Sequence, residues 1–155
     1  MRSTRSTLMS AALLVAAAAA PQGAAAQQEQ EKPPLAAYRE SLMEGLQSHN
    51  GALRALASGA VEYPGHVLGH AEAINHIAMM MADVFPEGSM EGSRAKAEIW
   101  QNWSDFDSKR MDLVNASNTL IEAARGMNAE AIGEAARAVG QTCRGCHQTY
   151  RAPAN

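Results

Sequence analysis

Cysteine is scarce in this chain, with two among 155 residues. Without a second pair, a structural zinc site is excluded, since such a site needs further ligands at ligand spacing. No segment alternates apolar and polar residues with a period of two, so no sheet is expected. No βαβ pattern accompanies the thiols, as it would around a thioredoxin-like dithiol. Positive charge is also short. Thirteen Lys and Arg face sixteen Asp and Glu, a formal −3, which argues against nucleic acid or an anionic membrane as partner. Beyond the first twenty residues, no apolar run approaches the ~20 residues that span a bilayer.

What is present is concentrated near the end, in Cys143-Arg144-Gly145-Cys146-His147. Two thiols two residues apart with an imidazole directly after them is the spacing of a c-type haem attachment. Cys143 and Cys146 each add to a haem vinyl group, and His147 is carried beneath the iron as an axial ligand. A disulfide across the same gap would close a very small loop and leave His147 without a role. No acid–base constellation stands beside these residues, so no enzymatic turnover is expected.

The start of the chain has the layout of an export signal. Arg2 and Arg5 are followed by an apolar run from Leu8 to Ala20 and by Ala24-Ala25-Ala26, the small-residue pattern of a cleavage site. A signal peptide over 1–26 and a mature domain over 27–155 are expected, with the product in a periplasm and no membrane span in the mature chain. Losing Arg2 and Arg5 leaves 11 basic against 16 acidic residues, a formal −5. In an oxidising compartment a free pair of cysteines is exposed to disulfide formation, and thioether bonds to haem remove that exposure.

Helical spacing fills the rest. Leu35, Tyr38, Leu42, Leu46, Leu53 and Leu56 predict a helix over about 35–58. Val67, His70, Ile74, Ile77, Met81 and Val84 predict one over 65–85, after Pro64 and before Pro86. Ile99, Trp103, Phe106, Leu113 and Leu120 predict a third over 94–125. Ile132, Ala136, Val139, Cys143 and His147 predict a fourth over 129–150, with Gly126 closing the third helix and Asn128 capping the fourth. Four amphipathic helices on short connections imply an all-α, antiparallel four-helix bundle with the haem near the C-terminus.

Several segments together carry a resemblance. Tyr38-Arg39 opens the first helix, Phe85-Pro86-Glu87-Gly88-Ser89 follows the second, and Ile99-Trp100 lies in the third. The chain then ends on Cys143-Arg144-Gly145-Cys146-His147-Gln148-Thr149-Tyr150-Arg151. In these the chain resembles the class II c-type cytochromes, the cytochrome c′ family, over nearly all of its mature length. The resemblance implies a four-helix bundle, one covalent haem c and no classical turnover chemistry. Redox proteins are the implied partners, and pairing of two copies through the first two helices is a family habit.

The distal side of the haem is where such proteins differ. Aligned on Tyr38-Arg39, Met43 falls where the resemblance places the residue facing the distal iron. It implies ligation by Met43 and His147, as in the low-spin members, and hence a one-electron carrier. The alternative is a five-coordinate haem that binds small gases. Among the histidines of the first two helices, His49, His66, His70 and His76, only His70 lies on the apolar stripe and rivals Met43. Arg39, one turn before Met43, is implied to lie near the haem propionates, and Arg151 beside the proximal imidazole.

Overall fold

The computed structural model describes residues 32–154. The expected export segment and the first residues of the expected domain lie outside them. The helices are α1 (Pro34–Ala57), α2 (His66–Met80), α3 (Glu98–Gln101), α4 (Trp103–Arg125) and α5 (Ala129–Tyr150). The four long helices form an antiparallel four-helix bundle in which α1 packs on α2 and α5, and α4 packs on the same two. Leu46 and Leu53 from α1, Ala71 and Ile74 from α2, Phe106 and Leu120 from α4 and Val139 from α5 are buried between them.

The α1 stripe differs from expectation at one position, where Arg39 takes the place expected of Tyr38. Tyr38 is 51% exposed, whereas Arg39 is only 4% exposed. The three-four alternation therefore reads Leu35, Arg39, Leu42, Leu46, with a charged residue in an apolar slot. A second buried polar link ties α2 to α4. The Asn75 side-chain amide donates to the Ser117 hydroxyl (3.0 Å), Asn118 Oδ1 (2.9 Å) and the Val114 carbonyl (3.3 Å).

Three expected boundaries move. α2 stops at Met80, with Ala82 and Asp83 bonding back to Met79 and Met80 in tighter turns. The residue before a proline is pushed out of the helical region, so the chain approaching Pro86 unwinds early. The third helix begins at Glu98, not at 94. Residues 94–96 are held by the C-terminus instead: Ala152 N–H donates to Arg94 O (2.8 Å) and Lys96 N–H to Tyr150 O (3.1 Å). Asn102 (φ −127, ψ 45) then separates α3 from α4. The break shifts the phase of the apolar stripe and leaves Trp103 40% exposed. At the α4–α5 corner the left-handed residue is Met127 (φ 49), not Gly126 (φ −75). Asn128 caps α5 as expected, accepting from the Ala131 N–H at 3.0 Å.

Candidate functional site

The last turns of α5 present Val139, Cys143, Cys146, His147 and Tyr150 at helical spacing, and the final four line a cavity of about 640 Å³. Its other walls are one face of α1, the segment 92–95 and the first half of α4. That volume is ordinary for a cofactor site. An aromatic cluster closes one side: the Phe106 ring meets Phe85 at 4.8 Å and stands edge-on to Tyr150 at 5.3 Å. The Tyr150 hydroxyl donates to Asp105 Oδ2 at 2.6 Å, which fixes the end of α5 to the start of α4.

The sulfurs of Cys143 and Cys146 are not joined to each other. Burial pushes the Cys143 thiol up, and it pushes Cys146 to about 11, against the pull of the Lys109 charge. Dithiol redox centres work by the opposite shift, a lowered thiol pKa, so the environment does not favour that rival. His147 is half-buried, and its pKa is held below the ordinary histidine value, first by burial and then by the charges of Arg151 and Arg94. The neutral imidazole is the form that ligates metals.

Met43 is half-buried on α1 and lines this same cavity. His49, His66, His70 and His76 do not line it. The His70 ring is engaged elsewhere: its Nδ1 lies 2.9 Å from Nδ1 of His49, with ring centroids 5.2 Å apart.

Arg39 lines the cavity and holds the connection after α2. Nε donates to the Val84 carbonyl (2.9 Å), Nη1 to the Ser89 carbonyl (3.0 Å) and Ser93 Oγ (3.3 Å), and Nη2 to Ser89 Oγ (2.7 Å). The guanidinium also sits over the Phe85 ring, 4.4 Å from its centroid. Every one of these partners is neutral, and no ion pair among the described residues involves Arg39. Buried charges are ordinarily paired, so an anionic group in the cavity suits this position. Gly92, in the same connection, has φ +66, and an added Cβ would collide with the Pro33 ring. Arg151 lies on the rim, exposed, with its backbone bridged to Ala95.

A residue that the sequence reading missed is Asn50. It lines the cavity, and its buried Oδ1 has no hydrogen-bond partner. An asparagine on a helix carries no signal that would have singled it out. Two cavity-facing thiols, a half-buried imidazole, a thioether and a guanidinium without an ion-pair partner together fit a covalently held haem with its propionates.

The sequence profile of the family described as cytochrome c′ matches residues 35–151. A cytochrome c-556 of Agrobacterium tumefaciens is 37% identical over 76 residues, covering 48% of this chain and 62% of that relative, less than two thirds of its length. A cytochrome c′ of Pararhodospirillum photometricum is 32% identical over 89 residues, covering 56% of this chain and 71% of that one. Among solved structures, a nitric oxide complex of a mutant cytochrome c′ from Alcaligenes xylosoxidans superposes with a TM-score of 0.73 at 26% identity. It covers 81% of this chain and 100% of that one.

Proposed function

The chain belongs to the cytochrome c′ family, whose members carry one covalently attached haem c and serve electron transfer or gas binding. From that premise we propose that it is an exported one-electron carrier, cut after residue 26, without enzymatic turnover. Cys143 and Cys146 would hold the haem covalently, and His147 and Met43 would ligate its iron. The haem supplies an iron that changes oxidation state by one electron. His147 offers a neutral imidazole from one wall, and Met43 a soft thioether from another; such a pair raises the potential of a cytochrome. Arg39 sets a buried positive charge where a propionate can answer it. The aromatic cluster of Phe85, Phe106 and Tyr150 keeps water from that side.

The observation that carries the reading is that Met43 lines the same cavity as His147 while none of the other histidines does. The test begins with acidified-solvent extraction of protein made in a host with haem-attachment machinery. Colour is expected to stay with the polypeptide, and to be lost or loosely held in the variant combining Cys143→Ala and Cys146→Ala. An optical spectrum then reads the distal side. A low-spin wild type is expected, with Met43→Ala turning high-spin and binding carbon monoxide in the ferrous state. A high-spin wild type would replace this reading with gas binding, a role that the likeness to a nitric oxide complex favours.

A further inference from the structure

We infer that the seam between α1 and α2 carries a metal site of its own, in which His49 and His70 hold a closed-shell monovalent cation, Cu(I), in linear two-coordination. Neither histidine lines the cavity, so the site stands apart from the haem. His49 belongs to α1 and His70 to α2. Their Nδ1 atoms stand 2.9 Å apart, and their ring centroids 5.2 Å apart. The depth of the two rings takes up the difference, so the nitrogens meet nearly end to end. Two imidazole lone pairs on one line repel unless something positive lies between them. In the pair as it stands that is a proton, one ring donating and the other accepting. A cation that takes two ligands on opposite sides serves equally.

The number and direction of the donors select the cation. Among the described residues no group of three His, Cys, Asp or Glu side chains is placed to hold a metal. His66 lies one turn before His70, but its ring stacks on Tyr63 with centroids 5.1 Å apart. Zn(II) takes four ligands at tetrahedral angles, and Cu(II) and Ni(II) take tetragonal sets. Either would need further donors and would swing the two rings off their common line. Cu(I) is satisfied by two ligands in line, and imidazole is a ligand that suits copper. With a metal–nitrogen distance of about 2 Å, the nitrogens must part to about 4 Å, an opening of about 1 Å. Both side chains are half-buried, which leaves them room to open and leaves the cation a way in from solvent. Burial, then the charges of His49 and His66, hold the His70 pKa below the ordinary histidine value, which keeps its ring neutral and able to ligate. On binding, the ring that carried its proton on Nδ1 takes the Nε2 tautomer instead. No electron moves, and the neutral pair releases no proton.

The probe is silver(I) nitrate in chloride-free buffer, because Ag(I) shares the linear habit of Cu(I) and needs no reductant. The ferric holoprotein is titrated, since haem attachment engages both cysteine sulfurs and removes them as competitors. With histidine labelled by nitrogen-15, the Nδ1 signals of His49 and His70 are expected to shift together and to saturate at one equivalent. Those of His66 and His76 are expected to stay in place. His49→Gln and His70→Gln keep a hydrogen-bonding side chain but lose one ligand nitrogen. Each is expected to weaken binding at this site by at least about tenfold, the lower end of what even outer-shell losses cost a metal site. At about a hundredfold excess of Ag(I) over Kd, Tm is expected to rise by several degrees in the wild type and not in these variants. The exposed thioethers of Met79 and Met80 are the rival donors, and the variant combining Met79→Leu and Met80→Leu is expected to bind as the wild type does. Unshifted Nδ1 signals, or wild-type affinity in His49→Gln, would mean that the pair shares a proton and nothing more, which overturns the proposal. Loss of binding in the double methionine variant, or a tighter hold on Zn(II) than on Ag(I), overturns it as well.

Discussion

The cavity predicts that this bundle depends on its cofactor for tertiary packing. The perturbation is to make the chain without haem, either in the cytoplasm without residues 1–26 or as the variant combining Cys143→Ala and Cys146→Ala. A cavity of about 640 Å³, taken at ~24 cal/mol per Å³, corresponds to about 15 kcal/mol. That is an upper bound, because the mouth is open and Asn50, Arg39 and Lys109 let water wet part of the wall. Even a third of it, about 5 kcal/mol, matches the lower end of the stability of a whole domain. Without the cofactor, the walls contributed by Leu46, Met81, Ile99, Phe106 and Leu113 are expected to collapse or loosen. The α2–α4 seam, held by Asn75 and Ser117, lies outside the cavity lining and is expected to keep its helices. Far-ultraviolet dichroism is expected to remain strongly helical, with near-ultraviolet signals flattened, a hydrophobic dye bound and no cooperative melt. A sharp near-ultraviolet spectrum together with a cooperative transition close to that of the holoprotein would refute this reasoning.

Acid is expected to loosen the α1–α2 contact. His49 and His70 face each other nitrogen to nitrogen, an arrangement that accommodates one proton but not two. The His70 pKa is lowered by burial and then by the charges of His49 and His66. The unfolded chain therefore binds the proton more readily, and this contribution is present above the ordinary histidine pKa of about 6.5 and lost as pH falls through the lowered folded value. Melting of the holoprotein between pH 8 and 5 measures it; an acid limb as steep in His70→Gln as in the wild type contradicts the assignment. Asn75→Ala removes the buried amide that joins α2 to α4 and is expected to destabilise by about 1–3 kcal/mol, read as a drop of several degrees in Tm. A loss below about 0.5 kcal/mol, the scale of an ordinary surface change, would mean that the link is dispensable. Arg39→Gln releases the segment that it ties to α1, so amide exchange at Ser89 and Ser93 is expected to quicken while exchange in α4 stays as it was. Uniform quickening across the bundle would assign Arg39 a global role instead.

The sequence by itself determined those features whose signal is local. Two thiols two residues apart with an imidazole directly after them specify a chemistry by spacing alone. The three-four recurrence of apolar residues marks a helix because a helix has one buried face. Asn128 reads as a cap because its side chain reaches a donor three residues ahead. Tertiary structure decided what depends on residues far apart in the chain. Arg39 sits in an apolar slot because carbonyls and hydroxyls some 45 to 54 positions away satisfy its guanidinium; from sequence alone a charge reads as surface, which is why Tyr38 was given that place. Residues 94–96 have the composition of a helix start, but the extended backbone at 150–152 claims their hydrogen bonds first. His70 has the spacing of a core residue, but the fold pairs it with His49 of another helix, outside the cavity lining. The place of Asn50 in the cavity has no linear pattern at all, because a cavity is formed by faces of helices that the chain brings together only when it folds.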